Sequence, residues 1–144
     1  MLVSEILRIK GTTLYTSTPD APLLDAVKVM AQLDIGSLVV MDHGRMAGLV
    51  TFAEVLRALA ERGGTLGDTR ISSITVANPL TAAPSIDVNE LRRAMLEHHA
   101  RYVPVMDGAT LLGVVSFHDV AKAVLEEQSC ENEMLKHYIQ DSPA

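Results

Sequence analysis

The chain has 144 residues, room for one ordinary domain or for two small units that share a core, and too few for a sensor joined to a separate enzyme. Its 18 acidic and 12 basic side chains leave a net charge of −6, which argues against nucleic-acid binding, because phosphate-tracking surfaces rest on clustered Lys and Arg. Apolar residues make up 48% of the sequence, yet no stretch reaches the ~20 unbroken apolar residues of a membrane span, and the single cysteine, Cys130, excludes an internal disulfide and a cysteine zinc cage.

The first residues, Met1-Leu-Val-Ser-Glu-Ile-Leu-Arg8, have neither the basic start nor the apolar block of a secretory signal, so a cytoplasmic location is expected. A short helix begins near Val3. Ala26, Val29, Met30 and Leu33 then follow the i, i+3, i+4, i+7 spacing of one helix face. Ser37 to Met41 is a β-branched run, Asp42-His-Gly-Arg45 a turn, and Met46 to Val50 a return strand, which together make a hairpin. A helix from Phe52 to Ala60 follows and stops at Glu61-Arg-Gly-Gly64-Thr-Leu-Gly67, the clear linker of the chain.

Sliding the chain by 65 residues repeats this order without a gap. Thr16 and Pro19 fall on Thr81 and Pro84, Met30 on Met95, Val40-Met41-Asp42 on Val105-Met106-Asp107, and Gly48 and Phe52 on Gly113 and Phe117. Asp68 to Ile74 restarts the pattern, Asp87-Val-Asn-Glu90 caps a second helix carrying Leu91, Ala94, Met95 and His98, and Val103 to Asp107 with Leu111 to Val115 forms a second hairpin. Pro104 removes one amide from its ladder, so that strand should be irregular or at an edge. Val120 to Ile139 reads as one long helix in which Met134, Leu135, Tyr138 and Ile139 resume an apolar face past the repeat. That cluster should pack on a partner subunit or fold back over a cleft.

Thr51-Phe-Ala-Glu54 and Ser116-Phe-His-Asp119 each stand where a strand gives way to a helix. Such a motif is a capping box, and the same helix start, with its amides, dipole and hydroxyl, is also suited to phosphate. Signs of catalysis are missing: there is no phosphate loop, dinucleotide fingerprint or nucleophile elbow. His98 and His99 point about 100° apart on a helix, and Cys130 lies among acidic residues and is a poor nucleophile candidate.

Thr18-Pro-Asp20, Ile35-Gly-Ser-Leu-Val-Val-Met-Asp42 and Gly48-Leu-Val-Thr-Phe-Ala-Glu54, with Ala100-Arg-Tyr-Val-Pro-Val-Met-Asp107 and Gly113-Val-Val-Ser-Phe-His-Asp119, resemble the CBS domain, and the chain resembles a free-standing CBS pair. The resemblance implies an α/β (α+β) fold of two tandem β-α-β-β-α repeats, 1–64 and 65–127, packed with pseudo-two-fold symmetry, followed by a helical extension at 128–144. It implies a regulatory module, not an enzyme, whose clefts bind an adenine nucleotide, AMP first, with ADP, ATP or NAD as further candidates. It also implies a homodimer that controls another enzyme or a transporter. The other reading is a ligand-free dimerisation or docking module.

The site residues implied are Gly36, Ser37, Thr51 and Glu54 in the first copy and Arg101, Tyr102, Pro104, Ser116, His118 and Asp119 in the second. Thr12, Thr13 and Asn78, in the stretches before each first helix of the repeat, would line the opposite copy's cleft. In this pattern the hydroxyl of Ser116 faces phosphate and Asp119 accepts from ribose hydroxyls, while Glu54, longer by one methylene, suits capping better. Arg101 either bonds phosphate or pairs with a surface carboxylate, and His118 either donates to the same phosphate or faces solvent. The cleft at Ser116–Asp119 is therefore expected to be the better site.

Overall fold

The computed structural model describes residues 1–11 and 14–141, with side chains through residue 135. Helix α1 (Val3–Lys10) leads to a short strand β1 (Thr16–Ser17), helix α2 (Leu23–Leu33), the hairpin β2 (Ser37–Asp42) and β3 (Arg45–Thr51), and helix α3 (Phe52–Glu61). A 3₁₀ turn (Ile71–Ser73) precedes α4 (Val88–His98), the hairpin β4 (Tyr102–Asp107) and β5 (Thr110–Ser116), and α5 (Phe117–Asp141). Among the described residues no helix is long and apolar enough to cross a membrane.

The two copies share their local geometry. Both hairpins pair antiparallel with a bulge at the same place, after Val40 in one and after Val105 in the other. Both leading helices end on a non-glycine residue in the left-handed region, Asp34 (φ 53) and His99 (φ 52). Asp87 caps α4 by accepting the Asn89 amide at 2.9 Å. β1 runs parallel to β2, with Ser17 opposite Val40, and its counterpart is the single bridge of Ala82 with Val105. The difference traces to Pro104. Val39, its equivalent, donates its amide to the Tyr15 carbonyl at 3.3 Å, a bond that a proline cannot make.

Two cores result, and each includes chain from the other copy. The first gathers Leu23, Ala26 and Met30 of α2, Leu38, Val40 and Val50 of the sheet and Val55 and Ala58 of α3, and is closed by Leu66 and Ile71. The second gathers Leu91 and Met95 of α4, Val103, Val105 and Val115 of the hairpin and Val120 and Val124 of α5, and is closed by Val3, Ile6 and Leu7 of α1. The exchanged segments dock with the same bonds. Val3 donates to the Ile86 carbonyl at 3.0 Å as Ile71 does to Ala21 at 3.0 Å, and Ser4 to Pro84 at 2.9 Å as Ser72 does to Pro19 at 2.9 Å. The packing units thus exchange their leading segments relative to the order of the repeats along the chain. Burial of each such aliphatic side chain contributes ~1.5–3 kcal/mol, so the exchange ties the copies together.

Close approach explains the two repeated glycines. A β-carbon on Gly48 would lie 2.3 Å from the Val76 carbonyl oxygen, and one on Gly113 would lie 2.9 Å from a Leu7 methyl. Each therefore lets an exchanged segment lie against a sheet. His98, placed by its spacing on the apolar face of α4, is exposed, with its Nδ1 2.9 Å from the Ala94 carbonyl oxygen. The turn that restarts the pattern is a single 3₁₀ turn where α1 has two helical turns.

Candidate functional site

The copies touch where β2 and β4 begin. The Phe52 and Tyr102 rings meet edge to face at 89° with centroids 6.2 Å apart, and the Arg101 guanidinium carbon stands 5.5 Å from the Phe52 centroid. These are favourable arrangements for aromatic pairs and for a cation over a ring. The Gly36 carbonyl accepts the Phe52 amide at 3.0 Å, and the Arg101 carbonyl accepts the Phe117 amide at 2.7 Å, so each hairpin start is pinned to its own helix start.

Beside this contact opens a cleft of about 770 Å³. Its lining includes Leu14, Tyr15, Ile35 and Val39, apolar and aromatic residues of the first copy. It also includes Arg101 just before β4, Ser116 and His118 where β5 meets α5, and Lys10 from the end of α1. Gly36, Ser37 and Tyr102 form part of the lining. On a chain of net charge −6, the fixed charges here are Lys10 and Arg101 against Asp34. The helix start adds partial positive charge to the same lining.

Both strand-to-helix motifs are closed as capping boxes. The Thr51 amide donates to Glu54 Oε2 at 2.8 Å, the Thr51 hydroxyl donates to the same oxygen, and the Ala53 amide donates to Thr51 Oγ1 at 3.3 Å. In the second copy the Ser116 amide donates to Asp119 Oδ2 at 2.8 Å and the Asp119 amide to Ser116 Oγ at 3.1 Å. A third partner separates the two. Lys10 Nζ donates to Asp119 Oδ2 at 2.7 Å and to the Val114 carbonyl at 3.0 Å. Burial pushes the Asp119 carboxyl up, but the Lys10 ammonium and the Ser116 amide and hydroxyl outweigh it and hold the group below its ordinary value.

Of the residues expected at a site, Gly36, Ser37, Arg101, Tyr102, Ser116 and His118 come together in this cleft. Asp119 is not among the cleft residues and lines a smaller groove of about 210 Å³ between α1 and α5 that Lys10 also lines. Thr51 and Glu54 cap α3, Pro104 is buried in β4, and Asn78 is exposed in a bend. Thr12 and Thr13 lie outside the described residues. Lys10 belongs to no motif: as the basic end of an amphipathic helix it reads as a dipole partner, and only the exchange of α1 onto the second copy brings it to the cleft. Among the described residues, no three His, Cys, Asp or Glu side chains converge on a metal site.

The CBS domain family profile matches residues 3–61 and 71–126, once for each copy. The chain is a CBS domain pair. It is 33% identical over 147 residues to the CBS domain-containing protein CBSX3, mitochondrial, of Arabidopsis thaliana, covering 96% of this chain and 71% of that protein. A CBS-domain protein from Burkholderia ambifaria MC40-6 superposes with a TM-score of 0.82 at 34% identity, over 89% of this chain and 96% of that one. The CBS domain pair of protein MJ0100, solved in complex with 5′-methylthioadenosine and S-adenosyl-L-methionine, superposes with a TM-score of 0.76 at 24% identity, over 88% of this pair and 98% of that one. CBS pairs of this kind are regulatory modules and not catalysts.

Proposed function

We propose that this CBS pair senses an adenine nucleotide in the cleft between Tyr15 and Ser116, and that occupancy regulates a partner enzyme or transporter. The observation that carries the reading is the character of the cleft. It is lined both by apolar and aromatic residues and by Lys10, Arg101 and a helix start that together favour an anion, all on an acidic chain. Adenine fits the apolar and aromatic residues, by contact with Tyr15 and Val39, and phosphate the cationic ones. The adenosine compounds bound to the CBS pair of MJ0100 support the same ligand class. AMP is the first candidate, then ADP, ATP and NAD.

The first copy's counterpart offers less. Leu49 is bridged by Val76, with both backbone bonds made at 3.0 and 2.9 Å, where the equivalent Val114 carbonyl accepts the Lys10 ammonium. We therefore assign one ligand to each chain. The module is further proposed to dimerise through α5, on which Leu125, Met134 and Leu135 are exposed.

Thermal shift and calorimetry with AMP, ADP, ATP, NAD and S-adenosylmethionine test the assignment. Arg101→Ala should weaken AMP by about tenfold, the equivalent of one charged hydrogen bond, and leave adenosine unchanged. One observation favours a docking module without ligand, namely that Asp119 is already paired with Lys10. Absence of binding by every nucleotide at millimolar concentration would establish that reading instead.

A further inference from the structure

Lys10 is the last residue of a helix that belongs in sequence to the first copy and in space to the second. Its ammonium pairs with Asp119, and its side chain also borders the cleft. Lys10 lines both the cleft and the smaller groove, whereas Asp119 lines only the groove. At 2.7 Å from Oδ2 and 3.0 Å from the Val114 carbonyl, the ammonium is held by a carboxylate and by a strand edge together. Among the described residues, the first copy has no such cation. Its Leu49 carbonyl, equivalent to that of Val114, takes the Val76 amide, and Glu54 is held by Thr51.

We propose that Lys10 is a latch on Asp119 that a phosphorylated ligand opens, so that the cleft selects nucleotides over nucleosides. The inference rests on the adenine-nucleotide reading of the cleft. Oδ2 already accepts the Ser116 amide and the Lys10 ammonium, so a ribose hydroxyl can bond it only when the ammonium moves off. A neutral nucleoside gives the displaced ammonium nothing in return. A phosphate does, because the long lysine stem can swing its ammonium from the carboxylate to an anion in the cleft, where Arg101 and the α5 start already favour negative charge. Ligand occupancy is thereby coupled to the end of α1, the element that crosses between the copies.

Lys10→Met keeps the stem and removes the charge, and Lys10→Gln provides a second neutral variant at this exposed helix end. Dissociation constants for AMP and for adenosine are measured with both variants and with the unaltered chain. Loss of the latch should tighten adenosine by about tenfold and leave AMP no tighter, so that the preference for AMP falls by about tenfold or more. If AMP binds all three proteins with the same preference over adenosine, the latch is overturned and the nucleotide reading stands. If none of the three binds either compound, the nucleotide reading fails and the latch with it. If AMP binds only the neutral variants and not the unaltered chain, phosphate does not open the latch and the proposal is overturned.

Discussion

Tyr102 covers Gly36 so closely that a β-carbon at position 36 would lie 1.8 Å from the tyrosine hydroxyl oxygen and 3.3 Å from the Phe52 ring. This contact joins the starts of the two hairpins across the pair, and its tightness depends on the missing side chain. Gly36→Ala should lower stability by about 1–3 kcal/mol, as overpacking does, and displace Tyr102 from its edge-to-face contact with Phe52. Urea denaturation checks this. An unchanged midpoint would mean that the two rings move aside freely.

The two capping carboxylates should behave differently. Glu54→Ala removes the reciprocal cap of α3 and should cost about 1 kcal/mol of stability while leaving AMP affinity unaltered. Asp119→Ala should weaken AMP by about tenfold or more, on the order of one charged hydrogen-bond pair. Equal effects of the two substitutions on affinity would contradict the assignment of a single cleft.

Acid should remove the contribution of Asp119. Its carboxyl is held below the ordinary value of 3.8, so its stabilising effect is full above that value and is lost as the pH falls through the lower folded value. The stability gap between the unaltered chain and Asp119→Asn should therefore be present at about pH 6 and close towards about pH 2. Denaturation curves at several pH values measure the gap. A gap that stays constant would place the stabilising effect elsewhere.

The duplication, both hairpins and the motifs at both helix starts can be read from residue spacing, because each depends on contacts within a few residues. Pro104 also announced its effect, since a missing amide must interrupt a ladder. The exchange of leading segments left no such trace. Val3, Ile6 and Leu7 form the same apolar stripe whichever core they enter, and only the folded chain assigns them to the second. Lys10 was hidden for the same reason. Ser116 and Arg101 stood out through the repeat, whereas the partner that occupies Asp119 comes from 109 residues earlier in the chain.

The far end of α5 supplies a separate test. Met134 and Leu135 are exposed beyond the last residues of the second core, while the side chains of Tyr138 and Ile139 lie outside the described residues. A chain ending at Glu127 should show a smaller mass by light scattering at concentrations where the full chain is dimeric. An unchanged oligomer would exclude this part of α5 from the contact.

Calorimetric titration of AMP into the unaltered chain tests the central claim most directly. One saturable site per chain is predicted, with affinity reduced by Arg101→Ala. No heat and no thermal shift at millimolar AMP, ADP, ATP and NAD would contradict it, and so would two equivalent sites per chain.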